Sequence, residues 1–125
     1  MTINEIKTQN APAAIGPYSQ GMSSNGFLFL SGQIAINPEN GEVIKGSVTE
    51  QTGQIIRNIT ALLSAANLDF KNVIKTTCFL TNMDDFNEFN AVYSKYFINK
   101  PARSCVAVSA LPKGVSVEIE VIAVH

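Results

Sequence analysis

A chain of 125 residues with 46% apolar and 15% charged residues has the size of one domain and enough apolar material for a single packed core. Its formal net charge is -1 and no two Lys or Arg residues are adjacent, which disfavours nucleic acids and anionic membranes as partners. No apolar run approaches the ~20 residues of a membrane span, and Cys78 and Cys105 alone cannot make a disulfide framework.

Thr2 to Lys7 has Ile3 and Ile6 as apolar positions of a short strand, and shows neither the basic region nor the apolar core of a signal peptide. The expected compartment is the cytoplasm. Asn10 to Gly21 is rich in Ala, Pro and Gly and reads as an ordered loop whose one aromatic, Tyr18, either anchors the loop or faces a pocket. Phe27 to Leu30 is a short apolar run consistent with a buried strand. It closes on Ser31-Gly32, where the backbone could offer N–H groups to an anion or simply bulge. Asn37 to Gly41 has turn composition.

Ser47 and Glu50 have the spacing of a capping box. Behind them Ile55, Ile56, Ile59, Leu62, Leu63 and Ala66 follow helical spacing up to Asn67, a residue able to take a left-handed cap. Gln51, Gln54, Arg57 and Asn58 read as the solvated face of this helix. Val73 to Leu80 predicts a strand with Cys78 as a small buried hydrophobe. Thr81 or Asn82 can cap a second helix whose stripe Phe86, Phe89, Tyr93, Tyr96 and Phe97 belongs to the core, with Asn90 close to that face.

The last segment predicts two strands, Arg103 to Ala110 and Val115 to Val121, joined by a turn at Leu111-Pro112-Lys113-Gly114. In the second strand Val115, Val117, Ile119 and Val121 share one face, and Ser116, Glu118 and Glu120 the other. If Leu111 pairs with Gly114, Cys105 falls opposite Glu120 and diagonal to Glu118. One more turn residue inverts the parity and separates them. The elements together make an α+β domain, a mostly antiparallel sheet with two helices on one face.

The chemistry open to these residues is narrow. The one histidine, His125, is the last residue, where fraying is expected, so neither a Ser-His or Cys-His pair nor a His-based metal site is expected. Gly41 to Gly46 has the spacing of a phosphate loop but is followed by Ser47 in place of Lys. Neither a dinucleotide fingerprint nor zinc-like cysteine spacing is present. What remains is Arg, carboxylate, Tyr and backbone amide chemistry. Arg103 can grip a carboxylate, and a group such as Glu118 can orient and deprotonate water.

Three motifs resemble signatures of one family in the same order: Asn10-Ala-Pro-Ala-Ala-Ile-Gly-Pro-Tyr-Ser-Gln-Gly21, Leu30-Ser-Gly-Gln-Ile34, and Pro101-Ala-Arg-Ser-Cys105 with Leu111 to Gly114 and Val117-Glu-Ile-Glu120. That family is the RidA family, also called YjgF. The resemblance implies a chorismate-mutase-like sheet backed by two helices, and a homotrimer with pockets between neighbouring subunits. The implied reaction is cofactor-independent hydrolysis of 2-imino acids and their enamine tautomers to 2-oxoacids and ammonia. By the same resemblance Arg103 binds the substrate carboxylate and Glu118 activates water, while Tyr18, Ser31, Gly32, Asn90 and Cys105 shape the pocket. Cys105 contributes through its backbone N–H more readily than as a thiolate, since no base neighbours it. A short link from Phe97 to Pro101, and Ala107 with Ser109-Ala110 in place of more polar residues, distinguish this chain and leave its preferred imine open. The alternatives are a non-catalytic 2-oxoacid sensor and, disfavoured by charge, an endoribonuclease or translation inhibitor.

Overall fold

The computed structural model describes residues 2–125. Its strands are β1 (Ile3–Ile6), β2 (Gly21–Ser24), β3 (Phe27–Gln33), β4 (Val73–Leu80), β5 (Ala102–Ala107) and β6 (Val117–Val124), and its helices are α1 (Val48–Ala65) and α2 (Phe86–Tyr96). The strands form one sheet in the order β1-β2-β3-β6-β4-β5, antiparallel throughout except for the parallel pair β4 and β5. Among the described residues no helix is long and apolar enough to cross a membrane.

Helix α1 starts where the sequence dictates. The Ser47 side chain accepts from Glu50 N, and the Glu50 side chain accepts from Ser47 N, satisfying two donors at the helix start. Ile55, Ile59, Leu62 and Leu63 are fully buried, each side chain contributing roughly 1.5–3 kcal/mol of transfer free energy before entropy is counted. They join one core with Phe89 and Tyr93 of α2 and the inward residues Leu28, Leu30, Cys78, Leu80, Val117, Ile119 and Val121 of the sheet. Asn67 takes the left-handed conformation, with φ 60°, just past α1.

Four elements differ from the sequence expectation. Strand β2 begins at the last residue of the stretch expected to be a loop and continues beyond it. It reaches β3 through Asn25-Gly26, whose φ values of 52° and 81° suit a two-residue hairpin connection, and that dipeptide was the available signal.

The expected hairpin between the last two strands is not formed. β4 lies between β5 and β6, pairing Cys78 with Cys105 on one side and with Ile119 on the other. The alternation in each strand was legible, but alternation fixes a strand's faces and not its neighbours. Residues 108–116 span β4, and Lys113 and Gly114 turn the chain with φ 58° and 69°.

The polar side of α1 is buried rather than solvated. Gln51, Gln54 and Asn58 are all buried, and only Arg57 of the four named residues is exposed. Asn58 Nδ2 donates to Ile36 O at 3.0 Å, and Gln51 Oε1 accepts from Ser116 N at 2.9 Å. These amides satisfy backbone groups that lie outside the six-stranded sheet.

At the C-terminus, where fraying is expected, the last residue is hydrogen-bonded. His125 N donates to Gly26 O at 2.9 Å, and the His125 ring lies 3.0 Å from Ser23 Oγ.

Candidate active site

The β3–β6 ladder slips between Leu30 and Gln33, where two residues of β3 stand against one of β6. Ser31 and Gly32 form this bulge, and the bulge seats Glu118. A Cβ on Gly32 would overlap the Glu118 carboxylate, so glycine is what leaves room for it. Glu118 is half-buried. Burial pushes its carboxyl above the usual range, and the neighbouring Glu120 carboxylate pushes the same way.

Around Glu118 opens a cavity of about 610 Å³ lined by Tyr18, Gln20, Ser31, Gly32 and Lys113, with Ile15, Ile34 and Pro112 among its apolar residues. Tyr18 is 54% exposed and lines this space, so it does not serve as a core anchor. Its loop is held from behind by the buried Gln20. That side chain accepts from Thr8 N at 2.8 Å and donates to Pro12 O at 2.8 Å. Ser31 N donates to Gln20 O at 3.0 Å and Ser31 Oγ to Ser19 O at 2.6 Å. The Ser31 N–H is therefore committed, which removes it from the anion-binding role open to it in the sequence.

A second group lies on the edge strand β5. Arg103 Nη1 donates to Asn90 Oδ1 at 2.7 Å, and the guanidinium carbon sits 4.7 Å from the Tyr93 ring centroid and 5.5 Å from that of Phe86. All three partners project from α2. No carboxylate among the described residues pairs with Arg103. With Asn90, Tyr93, Ile98, Lys100 and Pro101 it lines a cavity of about 350 Å³. Cys105 is half-buried two residues along. Burial raises its thiol above the ordinary 9.0 and the Arg103 charge pulls against this, so the neutral thiol dominates near neutrality. Its cross-strand partner Cys78 is fully buried and pushed up to about 12. Among the described residues no cluster of His, Cys, Asp or Glu could hold a metal ion.

The two groups do not meet within one chain. On β4, Arg103 pairs with Thr76 and Glu118 with Phe79. Cross-strand partners share a face, and an odd separation along β4 puts Arg103 on the helix-covered face and Glu118 on the bare one. Asn90 and Cys105 go with Arg103, while Tyr18, Ser31 and Gly32 go with Glu118. Gln20, Thr76, Tyr93 and Lys113 were not singled out for these sites by the sequence, because each reads as ordinary loop, strand or core material.

Residues 8–125 match the family described as Endoribonuclease L-PSP. The chain belongs to the RidA family. Within that family it is 58% identical over 94% of both chains to “Putative regulator AldR” of Lactococcus lactis. It is 45% identical to the human 2-iminobutanoate/2-iminopropanoate deaminase, across 96% of this chain and 88% of that one. The crystal structure of E. coli TdcF with bound serine superposes with a TM-score of 0.92 at 43% identity, covering 98% of each chain. The six-stranded sheet with two helices is thus the RidA architecture.

Proposed function

We propose that this chain is a deaminase that hydrolyses 2-imino acids and their enamine tautomers to 2-oxoacids and ammonia, without a cofactor, at sites completed between copies in a homotrimer. The observation that carries the proposal is Arg103: a guanidinium fixed by Asn90 and two rings, facing a cavity, with no described carboxylate taking its charge. An arginine held this way offers its remaining N–H groups to a substrate carboxylate in a fork.

The chemistry rests on the substrate's own reactivity. With its carboxylate on Arg103, the imine presents C2 to a water held by Glu118. As the water oxygen bonds to C2, the C=N electrons move to nitrogen and Glu118 takes a water proton. Glu118 returns that proton to the nitrogen, which completes the carbinolamine. The C–N bond then breaks as the C2 oxygen forms the ketone, and the hydroxyl proton passes by way of the Glu118 carboxylate to the departing nitrogen, which leaves as ammonia. A carboxylate made more basic by burial suits this exchange. Orientation carries much of the rate, since the imine is already electrophilic. Tyr18, Ser31, Gly32, Asn90 and the Cys105 backbone shape the space around it.

Assembly is supported by the opposite faces of Arg103 and Glu118, and by the apolar surface the sheet leaves bare. Met22, Phe29 and Ile122 form one cross-strand row there, and Phe27 and Val106 are more than 40% exposed. A patch of this kind marks an association surface. The deaminase name of the human relative and the serine bound by E. coli TdcF favour a small amino-acid-like ligand.

The test generates imine in situ with an amino-acid oxidase or threonine dehydratase and follows its loss in competition with semicarbazide. Wild type should accelerate the loss and Arg103→Ala should not. A regulatory name at 58% identity favours one other role, non-catalytic sensing of 2-oxoacids by the same residues. Ligand binding without turnover would select it.

A further inference from the structure

Arg103, Tyr93 and Thr76 form a closed triangle. Thr76 is the cross-strand partner of Arg103, the Tyr93 ring underlies the guanidinium at 4.7 Å, and the Tyr93 hydroxyl meets Thr76 Oγ1 at 2.7 Å. We propose that Tyr93, tethered by Thr76, is a positioning residue that sets the plane and rotational state of the Arg103 guanidinium for carboxylate recognition.

The hydroxyl needs this explanation. Tyr93 stacks on Phe97 at 4.2 Å and packs against Phe89 at 5.6 Å, contacts a phenylalanine would make equally well. Its hydroxyl and the fully buried Thr76 hydroxyl satisfy each other. What the pair adds is a fixed ring, pinned to the strand that also carries the backbone partner of Arg103. Asn90 then takes one N–H of the guanidinium and the ring occupies one side. An arginine has several free rotors, and a bidentate grip requires them all to be set. The proposal rests on Arg103 being the carboxylate anchor.

The test reads the guanidinium directly. The chain has two arginines, Arg57 and Arg103, so side-chain nitrogen NMR signals are assignable by comparison with Arg103→Lys. Wild type should show slow rotation about the Arg103 Nε–Cζ bond. Tyr93→Leu should release it, and Tyr93→Phe and Thr76→Val should each release it partly. Dissociation constants for 2-oxobutanoate should rise about five- to tenfold in Tyr93→Leu, and the rise should vanish in an Arg103→Ala background. The KM for imine should rise more than kcat falls. Should Tyr93→Leu not fold, Tyr93→Phe and Thr76→Val retain the core and decide the matter. Unchanged Arg103 rotation in folded variants, or an equal binding loss without Arg103, would overturn the proposal. Release of rotation in the variants supports positioning whether or not imine is turned over; wild type that shows slow Arg103 rotation but hydrolyses no imine counts against the deaminase alone.

Discussion

Arg103 and Glu118 occupy opposite faces of the sheet because their partners on β4, Thr76 and Phe79, are three residues apart. One face is covered by α1 and α2, so Arg103 looks out only at the sheet edge, beneath α2. The other face is bare and carries Glu118 beside the bulge. A substrate that touches both side chains has to lie between one copy's edge and another copy's open face.

Replacing Glu118 with glutamine keeps the shape and removes the proposed base. Turnover should fall about 10²- to 10⁴-fold, the usual worth of a general base, while the dissociation constant for a 2-oxoacid changes little. Single-turnover kinetics beside calorimetry would separate the two. Equal losses in both would make Glu118 a binding group.

Gly32→Ala should act through Glu118. The backbone at Gly32 is not left-handed, so alanine brings no conformational strain, but its methyl overlaps the carboxylate. Imine turnover should drop at least about tenfold with the fold intact by circular dichroism, since small misplacement of a catalytic group is costly. Retained wild-type turnover would show that the seat is not needed.

The same carboxyl sets a pH dependence of stability. Its folded pKa is raised above the ordinary 4.5, so between those values the folded state binds more protons than the unfolded one and stability falls as pH rises. Below 4.5 the ionisation penalty is absent. Glu118→Gln should therefore melt higher than wild type at neutral pH, with the gap closing towards pH 4.5 and below. A gap independent of pH would mean that packing, not ionisation, sets it.

Asn58→Ala tests the buried amides of α1. It strands the Ile36 carbonyl and the Gln54 amide that now bond to Asn58. A loss of about 1–3 kcal/mol is expected in urea unfolding, as for other orphaned buried polar groups. A loss near zero would return these residues to the role of ordinary surface.

The sequence revealed what local physics decides. The capping box at Ser47 and Glu50, the Ile55 to Leu63 stripe and the period of two in β6 all formed as read, because each depends on near neighbours. It did not reveal that β4 enters between β5 and β6, since pairing depends on residues far along the chain. Gln54 and Asn58 were misread for a related reason. Polar side chains at helical spacing look solvated until Ile34 and Ile36 are brought against Asn58, which in turn accepts from Gln54. For the candidate site, Arg103 and Glu118 stand out in the sequence as chemistry and Gly32 as a backbone position, and their roles rest on the proposed function. Tyr93 does not stand out, because a core aromatic and one that supports a guanidinium look alike in a helical stripe.

The most direct measurement mixes two disabled subunits. Arg103→Ala and Glu118→Gln proteins would be unfolded together, refolded in equal amounts and assayed for imine hydrolysis. If every site takes Arg103 from one copy and Glu118 from its neighbour, about one quarter of the sites in a randomly mixed ring regain both residues, and about that share of wild-type activity should return. Mixed assemblies confirmed by mass spectrometry but no more active than either parent would contradict a site shared in this way.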